Sequence, residues 1–230
     1  MRPVAAAYVA LAVLVTGVAQ YYAFRPESSN TVAFWVLAGG PTLLLAAFAA
    51  WWARREELLR EWLTPRWGDF TRGVVAAVAL FAAAWGFAKL VTPVGSKREI
   101  WLVSLYGQIG DPRLLQAHAP AVAAGIFAVA LAEELVWRGM VTQVLADRIG
   151  SRTAWIAAAV LYAVANVSTM WALRADGPGG GLNPLLPVAA LGAGLLWGGM
   201  ARAFGRLTPG ILAHALFDWA VVMMFPLWGR

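Results

Sequence analysis

Two adjacent carboxylates stand out first: Glu133 and Glu134, inside the apolar stretch Leu131-Ala-Glu-Glu-Leu-Val-Trp-Arg-Gly139. An ionisable side chain at the centre of a bilayer costs about 2.5–3.5 kcal/mol on insertion scales, so each one in such a setting needs an account. Glu134 and Arg138 are spaced i and i+4, on one helix face and in the favourable order for an ion pair, so Arg138 is expected to hold Glu134. Glu133 points about 100° away and needs a different partner, either water or a neighbouring helix. A carboxylate in apolar surroundings is suited to act as a general base near neutrality. The alternative is a buried Glu-Glu-Arg network that only pins helices together.

A second polar pair lies in Thr208-Pro-Gly-Ile-Leu-Ala-His214-Ala-Leu-Phe-Asp218-Trp219, again at i and i+4. A histidine and an acid on one face can bind metal, shuttle protons or polarise a carbonyl, or the histidine can be a satisfied core residue. A third pair, Tyr162 and Asn166, has the same spacing, although an asparagine in a membrane helix often only bonds across to another helix. The other histidine, His118, falls in a connection, and Lys89 near a span end is placed to snorkel.

The elements that must carry these residues are membrane spans. Of 230 residues, 61% are hydrophobic and 13% charged, far from the balance of a soluble domain. Spans are expected at about 4–24, 31–52, 73–92, 120–140, 153–173, 185–204 and 209–228, each near the roughly 20 apolar residues a bilayer needs. The fold class is therefore all-α: a single polytopic integral membrane domain over 1–230 with about seven transmembrane helices. The first span is read as a retained helix, because its apolar run is too long for a signal peptide. Trp51, Trp52, Trp155, Trp171 and Trp228 sit near span ends, where an amphipathic ring suits the interface.

The chain has no cysteine, which excludes disulfides, thiol catalysis and Cys-based metal sites. The net charge of +6 points to topology and anionic lipid headgroups, and not to nucleic acid, because the basic residues lie between apolar runs. The N-terminal side collects Arg2, Arg54, Arg55, Arg60, Arg66, Arg72, Arg148, Arg152, Arg202 and Arg206, and the other side Arg25, Lys97, Arg98, Arg113, Arg174 and Arg230. That bias predicts a cytoplasmic N-terminus. Within 53–72, the apolar Leu58, Leu59, Trp62 and Leu63 among charges read as an amphipathic cytoplasmic connection. The 93–119 stretch reads as interfacial or re-entrant. Gly194 and Gly198 form a small-xxx-small packing pair, and Gly39-Gly40-Pro41 predicts a kink.

The three polar pieces together resemble the CPBP family of intramembrane endopeptidases, which includes the type II CAAX-prenyl proteases and the Abi proteins. Glu133, Glu134 and Arg138 meet its Glu-Glu-x-x-x-Arg motif. Tyr162-x-x-x-Asn166 stands where the family has Phe-x-x-x-His, and His214 and Asp218 where it has His-x-x-x-Asn or a small polar variant. The run Gly205-Arg-Leu-Thr-Pro-Gly-Ile-Leu-Ala-His214 also resembles the family's approach to that histidine. The resemblance covers about 120–225, a catalytic core in the C-terminal four spans; the first three spans carry no motif.

What the resemblance implies is peptide-bond hydrolysis by glutamate-activated water, with no cofactor and no obligatory zinc. Glu133 is then the general base, Glu134 and Arg138 hold the site, His214 positions water or the oxyanion, and Asp218 orients His214 or shares its proton. Asn166 departs from the pattern: its amide can donate to an oxyanion but cannot ligate metal as imidazole does. That departure also leaves open an inactive homologue acting as a membrane immunity or partner-binding protein. A small transporter ranks below both, because no inverted repeat or pair of broken spans is evident. The implied substrate is a membrane-embedded or lipid-modified polypeptide in a bacterial plasma membrane, by analogy a C-terminal sorting tag of the kind cut by myxosortase-like branches.

Overall fold

The structure, a computed structural model, describes residues 3–175 and 181–224. Arg2, Trp228, Arg230 and the end of the 209–228 span lie outside the described residues. The described residues form twelve α-helices: α1 Pro3–Ala23, α2 Val32–Arg55, α3 Leu59–Leu63, α4 Asp69–Gly86, α5 Lys97–Ile109, α6 Pro112–Ala117, α7 Ala119–Glu133, α8 Thr142–Ile149, α9 Ser151–Ala165, α10 Thr169–Ala172, α11 Leu185–Phe204 and α12 Thr208–Met223. Among the described residues there is no strand, only an isolated bridge between Ala175 and Gly181. Among the described residues five helical stretches are long and apolar enough to cross a membrane: Val32–Arg55, Asp69–Val91, Ala119–Ile149, Ser151–Ala172 and Leu185–Phe204. Ala7–Ala23 and Thr208–Met223 are shorter apolar helices. The chain is a polytopic all-α membrane protein.

Its packing is that of a protein dissolved in lipid. The interior is made largely of small side chains, with Ala12, Ala46, Ala49, Ala53, Ala130, Ala158, Ala159 and Ala213 all buried. Leu14, Val18, Leu44, Val75, Leu90 and Val188 are instead exposed on the outer surface. Lipid tails are as apolar as leucine, so helices gain by close backbone approach, and small residues permit it. Gly73 shows how close: a Cβ there would fall 2.7 Å from Leu212 Cβ, where α4 packs along α12. Gly194 and Gly198 have the same role between α11 and α9, facing Ala159 and Trp155 respectively.

Gly39 and Pro41 lie within an unbroken α2. A Cβ on Gly39 would come 2.7 Å from Val129 Cγ2, so the buried glycine permits close approach to α7.

The connections segregate to two ends. At one end, Leu207 N–H donates to Trp62 O, Arg206 pairs with Asp69, and Arg202 donates to Ser151 O. At the other, Asn30 N–H donates to Gln108 O, and the buried Asn183 donates to Trp101 O at 2.9 Å. The 93–119 stretch is largely helical, as α5 and α6; Ser96 caps α5 by accepting from Glu99 N–H, and Asp111 caps α6. The segment expected to be amphipathic is short: α2 runs on to Arg55, and only Leu59–Leu63 is helical beyond it. Leu58, Leu59 and Leu63 pack against the protein core around the buried Trp62.

The largest departure from the expected boundaries is at the glutamates. The span expected to end near 140 continues to Ile149, and Glu134–Val141 within it is π-helical. Gly150, at φ +81°, then ends it.

Candidate active site

The π-helical segment begins at the second glutamate. The wider i→i+5 turn is rare and is frequent at functional sites, although a second π-helical stretch, Phe87–Val91, lies away from the glutamates. Glu133 closes the α-helical part and Glu134 opens the π part, and both carboxylates reach the same imidazole on α12. His214 Nδ1 lies 3.0 Å from Glu134 Oε1, and its Nε2 lies 3.7 Å from Glu133 Oε2. The Nε2 also stands 3.3 Å from Asp218 Oδ2, one turn on in the same helix. Nδ1 thus faces Glu134, and Nε2 faces Glu133 and Asp218; toward an ionised Glu134, which only accepts, Nδ1 would carry the hydrogen.

Each glutamate has its own second partner. Tyr162 OH, on α9, donates to Glu133 Oε2 at 2.5 Å. Arg138 NH1 is 3.2 Å from Glu134 Oε1, which is the ion pair expected from the spacing. That contact is close but not aligned as a hydrogen bond: among the described residues NH1 and NH2 of Arg138 and Oε2 of Glu134 have no hydrogen-bond partner. The guanidinium is held by rings instead, 4.7 Å from the Tyr162 centroid and 5.1 Å from that of Trp197. Trp197 also stacks on His214, with centroids 3.7 Å apart and planes at 17°.

Glycine makes the room. A Cβ on Gly210 would sit 3.2 Å from Glu134 Oε2, and one on Gly194 would sit 3.2 Å from Arg138 NH2. Gly210 and His214 are four apart, so α12 turns a bare backbone and then an imidazole to the same carboxylate.

Burial is uneven. The side chains of Glu133, Glu134, Arg138 and His214 are each exposed by 9% or less, whereas that of Asp218 is 36% exposed. Asp218 is thus the member of the cluster open to the outside of the bundle. Asn166 is buried at the end of α9, where its Nδ2 donates to Tyr162 O at 2.9 Å and its backbone carbonyl accepts from Thr169 Oγ1. It therefore joins the cluster through the backbone of Tyr162. His118 is exposed at the junction of α6 and α7.

Sequence reasoning missed two members. The spacing and the motif pair Tyr162 with Asn166 and give its hydroxyl no role, whereas that hydroxyl reaches Glu133 across a helix pair. Trp197 gave no signal among thirteen tryptophans. Among the described residues no group of three His, Cys, Asp or Glu side chains is arranged to hold a metal ion.

An apolar helical bundle that buries two glutamates, an arginine and a histidine in mutual contact defines a class: a multi-pass membrane protein with an intramembrane acid–imidazole site. Residues 115–220, which contain all of these groups, match the family model Type II CAAX prenyl endopeptidase Rce1-like. Over those residues the chain is similar to the Rce1-like CAAX-type endopeptidases, consistent with a CPBP family intramembrane protease. No curated protein and no solved structure matches the chain.

Proposed function

We propose that the protein is an active intramembrane endopeptidase of the glutamic type. It hydrolyses a peptide bond in a membrane-anchored or lipid-modified polypeptide, in a bacterial plasma membrane, with its N-terminus in the cytoplasm. The observation that carries this reading is the placement of Glu133 Oε2 between Tyr162 OH at 2.5 Å and His214 Nε2 at 3.7 Å. Tyr162 occupies one oxygen of the carboxylate and fixes its plane, and the other remains a base for water. Glu133 takes a proton from water as its oxygen adds to the scissile carbonyl. His214 Nε2–H donates to the oxyanion, and the second N–H of the Asn166 amide, not engaged by Tyr162 O, is a further donor. The proton on Glu133 then passes to the leaving amine as the C–N bond breaks.

Glu134 sets the imidazole through Nδ1, and Arg138 balances its charge. Asp218, on the open side, orients Nε2 and exchanges its proton with the outside. The substrate is a polypeptide whose own apolar segment lies in the bilayer, such as a C-terminal sorting tag.

Glu133→Ala tests the reading. Co-expressed candidate membrane proteins should lose a terminal segment with the native protein and stay full-length with the variant, while the variant inserts and melts like the native protein. Processing that continues in Glu133→Ala sinks it. The engagement of Asn166 by its own helix favours a second reading, a partner-binding homologue without activity. Binding of candidate tags without cleavage, unchanged in Glu133→Ala, identifies that case.

A further inference from the structure

The segment between α2 and α4 touches both site-bearing helices at one end of the bundle, although it lies outside the family-matched 115–220. Trp62, on α3, is buried with its ring against Gly139, next to Arg138 in the π-helical segment; a Cβ on Gly139 would fall 2.7 Å from Trp62 Cζ3. The carbonyl of the same residue accepts from Leu207 N–H at 2.9 Å and from Thr208 Oγ1 at 3.5 Å, where α12 begins. One residue therefore wedges the helix of the glutamates and caps the helix of the histidine.

Seven residues further on, Asp69 is buried and holds Arg206. Arg206 Nε donates to Oδ2 at 2.9 Å and its NH2 to Oδ1 at 2.5 Å, while NH1 donates to Phe204 O. Arg66 N–H donates to Asp69 Oδ2 at 2.8 Å, and Arg72 NH1 approaches Oδ1 at 3.4 Å. A planar guanidinium gripped at two points defines a relative position more than it adds stability. Here it fixes the 205–207 turn, and with it the start of α12, against the start of α4.

We propose that segment 59–72 is a positioning strap, in which Trp62 and the Asp69–Arg206 pair set the register of α12 against the Glu133–Glu134 turn. The strap sets the 3.7 Å separation of Glu133 Oε2 and His214 Nε2 without touching either. Its kinetic consequence rests on the endopeptidase reading; its geometric consequence does not. Productive sites must be held within about 0.5 Å, and a displacement of ~1 Å by a remote change can cost on the order of 100-fold in rate.

The chain has no cysteine, so a single pair introduced at Phe127 on α7 and Leu216 on α12, both exposed, carries spin labels in the full-length protein reconstituted in lipid vesicles. The native strap and Trp62→Phe, which keeps a ring on Gly139, should give one narrow distance. Asp69→Asn, Arg206→Lys and Trp62→Ala should broaden or shift it, and should lower kcat between roughly 10- and 100-fold with KM within about twofold. Native distances in both Asp69→Asn and Trp62→Ala overturn the strap, as does a native kcat in both with a substrate the native protein cleaves. If the native protein cleaves nothing, the endopeptidase reading fails and the distances alone decide the strap.

Discussion

His214 is one imidazole among three carboxylates, and the two ring nitrogens divide them unequally. Nδ1 is committed to Glu134 at 3.0 Å, while Nε2 is shared between Asp218 at 3.3 Å and Glu133 at 3.7 Å. Glu134 thus faces the ring nitrogen alone, and this division is the reason Glu133 is the carboxylate proposed for the chemistry. Tyr162 then has two separable functions, a hydroxyl on Glu133 and a ring over Arg138. Tyr162→Phe removes only the first. A hydrogen bond to a charged group contributes about 1.5–3 kcal/mol, so if it acts in the transition state, kcat should fall by ~10- to 100-fold. Cleavage kinetics measured beside the melting temperature check this; an unchanged kcat would show the hydroxyl to be a packing contact. Asn166→His is expected to retain or raise cleavage, read with the same substrate, because imidazole is the group the family pattern has there. A loss of cleavage in a folded Asn166→His would tie the site to the Tyr162 carbonyl bond that the asparagine amide makes.

At the scale of elements, the π-helical segment and the glycines make the cluster possible. A strictly α-helical chain separates adjacent glutamates by about 100°, which led to the expectation that Glu133 and Glu134 face different partners. They do have different second partners, yet both reach His214, because α12 comes close enough to lie between them. That closeness depends on bare backbone. Gly73 lets α4 lie on α12 with a Cβ position only 2.7 Å from Leu212 Cβ, an atom that cannot swing away. Gly73→Ala gains helix propensity of about 1 kcal/mol but must push the helices apart, an overpacking cost of about 1–3 kcal/mol. The expected outcome is a net lower melting temperature in detergent and reduced cleavage. A variant that melts higher than the native protein would show that α4 and α12 can separate freely.

For the whole molecule, the contacts that join connections at each end have a topological consequence. The turn at 205–207, the strap and Ser151 meet at one end, while Asn30, α5 and Asn183 meet at the other. With the N-terminus in the cytoplasm, a cysteine placed at Glu57 should react with a membrane-impermeant maleimide only after permeabilisation, and one at Gly95 should react in intact cells. The reverse pattern would invert the orientation proposed here.

Much of this was legible in one dimension. Apolar run length defined the helices, and the i, i+4 spacing of Glu134 with Arg138 and of His214 with Asp218 defined same-face pairs, because both depend only on helix geometry along the chain. The need of Glu133 for a partner on another helix was also readable, from the cost of an intramembrane charge. Which partner it has was not. Tyr162 on Glu133, Trp197 on His214, and Trp62 and Asp69 bracing two helices from a stretch without a motif are contacts between elements far apart in sequence. Such contacts are set by how closely backbones approach and by where a helix widens its turn, and only the packed tertiary structure decides either.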